Sequence, residues 1–162
     1  MSSPLTFEEV LNRDGHLAYT NRGISMMPLL RQGKDVMLID KKGPEGCRKL
    51  DAVLFIRHGK DGKRSYVMHR ILRVNGDGTY WIIGDNCLTG DIVPEDQVIG
   101  VLTGVVRGKR TIRTTDLGYR LYVNTWCRWY HLRIFLLRAR NLFKSVFKRI
   151  FRRSSGRRTT AR

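Results

Sequence analysis

Acidic residues are missing from the last part of this chain. The final one is Asp116, and the 46 residues after it carry thirteen Lys and Arg. Up to Asp116, eighteen basic residues stand against fourteen acidic ones, so only +4 of the net +17 belongs to that part. The excess charge is therefore a property of a tail. Cysteine is scarce too. Cys47, Cys87 and Cys127 sit about forty residues apart with no C-x-x-C pair, which excludes a disulfide framework and a zinc ribbon. Only four prolines occur in 162 residues, against 41% hydrophobic residues, a balance that excludes a disordered or fibrous chain. Long apolar runs are absent. The longest in the tail is Ile134 to Leu137, whereas a membrane-spanning helix needs about twenty largely apolar residues. The start, Met1-Ser2-Ser3-Pro4 with Glu8 and Glu9 close behind, has neither the basic nor the apolar region of a secretory signal. The expected location is the cytoplasmic side, with no span and peripheral membrane contact.

What is present divides the chain into three parts: a body over 1–116, a basic helical tail over 117–153, and a disordered basic end over 154–162. Thr6 followed by Glu9 is a capping-box pattern, and Phe7, Val10 and Leu11 keep helical spacing, which predicts a short helix over 6–13. Beyond Asp14-Gly15 the period shortens. Apolar runs at Val36–Ile39, Ala52–Ile56, Tyr66–Met68 with Ile71–Val74, Tyr80–Ile83 and Val98–Val106 are separated by Gly-, Asn- and Asp-rich turns. That pattern predicts a mainly β body. Asn75-Gly76-Asp77-Gly78 is placed for a hairpin turn. From about Tyr119 to Phe151 the apolar positions return to helical spacing, with the basic residues mostly between them.

Three short segments of the body hold the parts of an activated nucleophile: Gly23-Ile24-Ser25-Met26-Met27-Pro28, Met68-His69-Arg70, and Gly84-Asp85-Asn86 with Gly90-Asp91. A serine hydroxyl attacks poorly unless a base takes its proton, and the base needs an acid to fix its tautomer and stabilise its cation. Taken singly, each segment also has a structural reading. Ser25 fits a strand end, His69 a half-buried strand position, and Gly84-Asp85-Asn86 an Asx-turn. His16, His58 and His131 read as a turn residue, a loop residue and a tail residue.

In order and spacing, the segments together resemble the S24/S26 serine peptidases, in particular the signal peptidase branch of endoplasmic-reticulum and archaeal type. The likeness consists of Ser-Met-x-Pro, a strand ending in His-Arg, Gly-Asp-Asn with a second aspartate six residues after the first, Asp51-Ala52-Val53-Leu54-Phe55, and Ile99-Gly100. It runs from about Gly23 to Leu102. Lys34 is inserted into the family's Arg/Lys-x-Gly-Asp box, and Cys87 replaces its second Asn. The resemblance implies that Ser25 is the nucleophile, His69 the general base and Asp91 the residue orienting it, with Asp85 as the other candidate. It also implies a β-rich peptidase body whose shallow groove binds an extended protein or leader-peptide segment, with no cofactor and no metal. A histidine base suits this chain. Its unperturbed pKa of about 6.5 leaves it neutral at pH 7, whereas a lysine would have to be lowered by roughly three units.

The tail, with Trp126, Trp129, Tyr130, Phe135, Phe143, Phe147 and Phe151 among its arginines, reads as an interfacial helix meeting an anionic membrane through residues 120–153. No nucleic acid is expected, because bulky apolar side chains recur at every turn. Two alternatives to a peptidase remain. One is a catalytically silent body serving as a peptide-binding or membrane adaptor module; the other is a basic nucleic-acid-binding protein.

Overall fold

The computed structural model describes residues 5–20, 22–59 and 62–156, and of 146–156 the backbone alone. Thr6 caps helix α1 (Phe7–Asp14) through the expected reciprocal bonds with Glu9, and Gly15 ends it in the left-handed conformation at φ 77°. Eight antiparallel strands then form one open sheet: β1 (His16–Thr20), β2 (Asp35–Lys41), β3 (Ala52–His58), β4 (Arg64–Val74), β5 (Thr79–Ile83), β6 (Gly90–Pro94), β7 (Val98–Arg107) and β8 (Arg110–Arg113). Their order is β1-β2-β7-β3-β4-β5-β6, and β8 folds back on β7. The molecule is mainly β, as its apolar periodicity predicts.

The continuous apolar run of β3 is explained by its place. It lies between β4 and β7 and is covered on both sides. Ala52 and Leu54 enter one core with Leu11, Met26, Leu30, Met37, Met68 and Leu102, while Val53 and Phe55 enter a second with Ile71, Tyr80, Ile82 and Val98. Alternate residues of a strand point to opposite faces, so a strand buried on both faces needs no polar alternation. The two runs on either side of His69 form one long strand, β4. The hairpin at Asn75–Gly78 also forms, with Thr79 N–H and Oγ1 both donating to Asp77 Oδ1 at 3.1 and 2.6 Å.

Three strands were not expected. His16 is no turn residue but opens β1, and β6 and β8 are short elements whose sequences lack an apolar alternation. After β8 the chain turns helical in α2 (Leu117–Tyr122). One wide turn follows over Val123–Cys127, where Arg128 N–H donates to Val123 O five residues back at 2.9 Å. Helix α3 (Tyr130–Gly156) is the last element among the described residues. Of the end expected to be disordered over 154–162, residues 154–156 belong to this helix, and 157–162 lie outside the described residues. The first half of the tail is built into the body: Tyr119, Val123 and Cys127 belong to the first core. Among the described residues no helix is long and apolar enough to cross a membrane.

Candidate active site

Ser25 lies in the loop between β1 and β2, and that loop is anchored at both ends. Met26 and Leu30 are fully buried, and Leu30 N–H donates to Met26 O at 3.0 Å. At the far end the Asp35 carboxylate is completely buried between Arg31 and Arg107, with Nη2–Oδ distances of 2.9 and 2.7 Å. Burial alone would raise the Asp35 carboxyl, but the hydrogen bonds from Arg107 and Arg31 outweigh it and hold the group far below the carboxylate range. Arg107 Nη2 also donates to Leu29 O at 2.6 Å, which ties the serine loop to the sheet.

At the near end the clamp is Asn86. Its backbone N–H donates to Ser25 O at 2.7 Å and its Nδ2 to Ile24 O at 3.1 Å. In the sequence Asn86 reads as part of a turn and of the Gly-Asp-Asn box, and neither signals this positioning role. Gly84 brings the base in. A Cβ on Gly84 would lie 2.7 Å from Ser25 O, 2.7 Å from Cys87 Sγ and 3.0 Å from His69 Nε2. The serine backbone, the thiol and the imidazole therefore surround one point that only hydrogen can occupy. Gly84→Ala is expected to push the serine loop off His69 and, for any catalysis that uses the two together, to lower the rate at least ~10-fold. The check is a kcat comparison at matched thermal stability, because the closest obstruction includes a backbone oxygen that cannot rotate away.

His69 stands on β4 opposite Val53 and beside the Phe55 ring, only 5% exposed. Burial pushes its pKa down to about 4; the charge of Arg57 pushes the same way, and Asp91 and Asp85 offset only part of this. The ring is thus neutral at pH 7, with a free electron pair on one nitrogen. Nδ1 has no hydrogen-bond partner among the described residues.

The two aspartates are placed quite differently. Asp91, on β6, lines the same cleft as Ser25 and His69 but forms an ion pair with Arg57 at the end of β3, with both side chains about two-fifths exposed. The bond from Asp91 to the imidazole Nδ1 that the resemblance implies is not made here. Arg57, which also lies 5.7 Å from the Phe55 ring centre, was not singled out in the sequence. Its position, two residues after the Asp51–Phe55 box, carried no signal.

Asp85 is fully buried and faces away from this chemistry. Its carboxylate takes Arg70 Nε and Nη2 at 2.9 and 2.8 Å, the Tyr122 hydroxyl at 2.9 Å and Arg133 Nη1 at 3.3 Å. Its carbonyl accepts from Trp126 Nε1 at 3.2 Å. Burial would raise this carboxyl too, but Arg70 above all, then Arg133 and Tyr122, hold it below its ordinary range. Successive residues of β4 point to opposite sides, so His69 and Arg70 serve different structures: His69 the cleft, Arg70 the clamp that locks the helical tail to the Gly84–Asn86 turn.

The cleft holding Ser25, His69, Cys87 and Asp91 has a volume of about 640 Å³, with Arg22, Arg57, Leu54 and Tyr66 also on its walls. It combines a hydroxyl, a neutral imidazole, a cation and an apolar floor. Those are the components for acyl transfer to a serine and for holding a peptide strand. The described residues contain no cluster of three or more His, Cys, Asp or Glu able to hold a metal ion. No protein-family model, curated protein or solved structure matches the chain.

Proposed function

We propose that this protein is a serine endopeptidase similar to the signal peptidases of the S24/S26 class, cleaving an extended protein or leader-peptide segment. One observation carries the reading: Ser25, His69 and Asp91, far apart in sequence, line one cleft. The peptidase fold is part of the same proposal, and the antiparallel sheet with its cleft is the setting it requires.

In the proposed reaction His69 Nε2 accepts the Ser25 Oγ proton as Oγ bonds to the scissile carbonyl carbon. The imidazolium then gives that proton to the departing amine, which leaves an acyl-serine. Water, deprotonated by the same nitrogen, hydrolyses the ester. This cycle needs the tautomer with hydrogen on Nδ1, and Asp91 supplies the acceptor once it leaves Arg57.

The Arg57–Asp91 pair favours a second reading, in which the body binds a peptide without cutting it. A fluorophosphonate probe together with a panel of precursor proteins and leader peptides, read by mass spectrometry, separates the two. A peptidase acquires the probe on Ser25 and yields new termini that Ser25→Ala does not yield. If wild type and Ser25→Ala give identical peptides and neither is labelled, the binding module is correct.

A further inference from the structure

Helix α3 has two faces with opposite fates. Arg133 and Leu137 point at the body, 1% and 3% exposed. On the other side Trp129, just before the helix, and Leu132, Phe135, Leu136, Leu142 and Phe143 stand in solvent, with Phe135 at 67% and Phe143 at 75% exposure. At about 100° per residue, the five helical positions share an arc of roughly 120°. Side chains of this size are not left open in such a row without a covering partner. Exposed Arg138 and Arg140 fall on the two borders of the arc.

We propose that this face is a membrane-docking surface that lies in the headgroup region of an anionic bilayer. The charge pattern selects that occupant. Every charged side chain after Asp116 is basic, so the covering surface must combine an apolar interior with diffuse negative charge. A second copy would supply the apolar contact but set arginine against arginine. A nucleic acid would match the charge but press its phosphates onto Phe135 and Leu136. The border arginines suit a bilayer, because their stems cover apolar surface while the guanidinium reaches the phosphates.

The test is co-sedimentation of the full chain with vesicles of phosphatidylcholine alone and with about one-third phosphatidylglycerol added. Wild type is expected to bind the anionic vesicles at least ~10-fold more tightly, and more weakly when ionic strength rises from about 0.1 to about 0.5 M. Phe135→Ser/Leu136→Ser/Phe143→Ser should lose at least ~10-fold in vesicle binding with an unchanged melting temperature, since all three side chains are exposed. Arg138→Gln/Arg140→Gln should reduce the preference for the anionic lipid. No binding of wild type to anionic vesicles would overturn the proposal, as would unchanged binding by the serine variant. A dimer dissolved by the serine substitutions without any vesicle binding would assign the face to a second copy. None of these readouts requires Ser25, so they stand or fall apart from the peptidase reading.

Discussion

If the protein is the peptidase proposed above, His69→Ala is expected to slow cleavage by about 10²–10⁴-fold at pH 7, the contribution of a positioned general base. The pH profile is the sharper measurement. The wild-type imidazole loses its activity as a base only when protonated, and burial together with Arg57 has pushed its pKa down to about 4. The acid limb of kcat/KM should therefore fall near pH 4, well below the value of about 6.5 for a free histidine. Arg57→Gln removes the cation that presses on the ring and releases Asp91, so the limb should move toward higher pH. An acid limb that stays in place in Arg57→Gln would show that Arg57 and Asp91 do not act on His69.

The same depression has a consequence for stability, and its sign follows from proton counting. Unfolded, His69 takes up its proton near pH 6.5; folded, only near pH 4. Between those values the unfolded chain binds a proton that the folded chain refuses, so stability falls as pH falls. Its contribution is complete above about pH 6.5, and the loss amounts to something on the order of 3 kcal/mol by pH 4.

Asp85→Asn is expected to be the most damaging single substitution for stability. It leaves Arg70, fully buried, and Arg133, 1% exposed, without their common carboxylate. Removing one partner from a buried pair costs about 3–5 kcal/mol, because the remaining charge stays desolvated. In a chain of this size that lowers the melting temperature by roughly 10 °C. Asp91→Asn, breaking a pair in which both side chains are more than two-fifths exposed, should cost at most about 1 kcal/mol. Calorimetry of the two variants thus separates the two aspartates of the Gly84–Asp91 region. Comparable losses from both would contradict the division of labour described above. Arg133 gives a further contrast. Its Nε and Nη2 are buried without partners among the described residues, so Arg133→Met should be tolerated far better than Asp85→Asn.

The central strands were legible because their apolar runs are continuous, and α1 was legible because Thr6 and Glu9 form a local signal. β1, β6 and β8 were not. His16–Thr20 exposes every other residue at a sheet edge, and Gly90–Pro94 begins with a glycine and ends with a proline. Their pairing is imposed by neighbours distant in sequence. That Ser25 and His69 would come together in one cleft could be expected from the order and spacing of their segments. The roles of the two aspartates could not, since both are carboxylates in turn-like surroundings. Only the three-dimensional partners, Arg70 for one and Arg57 for the other, tell them apart. The apolar stripe of the tail was also visible, but not that Arg133, a cation, would take the buried position on its reverse side.

The wide turn at Val123–Cys127 sets the rotational phase of everything after it. It holds one residue more than an ordinary helical turn needs, and a helix advances about 100° per residue. Wound as an ordinary turn, the same residues would bring Leu132 into the place of Arg133 and Leu136 into that of Leu137. Arg133 would then turn away from the body, and Asp85 would lose one of its cations. Which side of α3 is solvent and which is protein is thus determined by one inserted residue, not by the hydrophobicity of the helix itself.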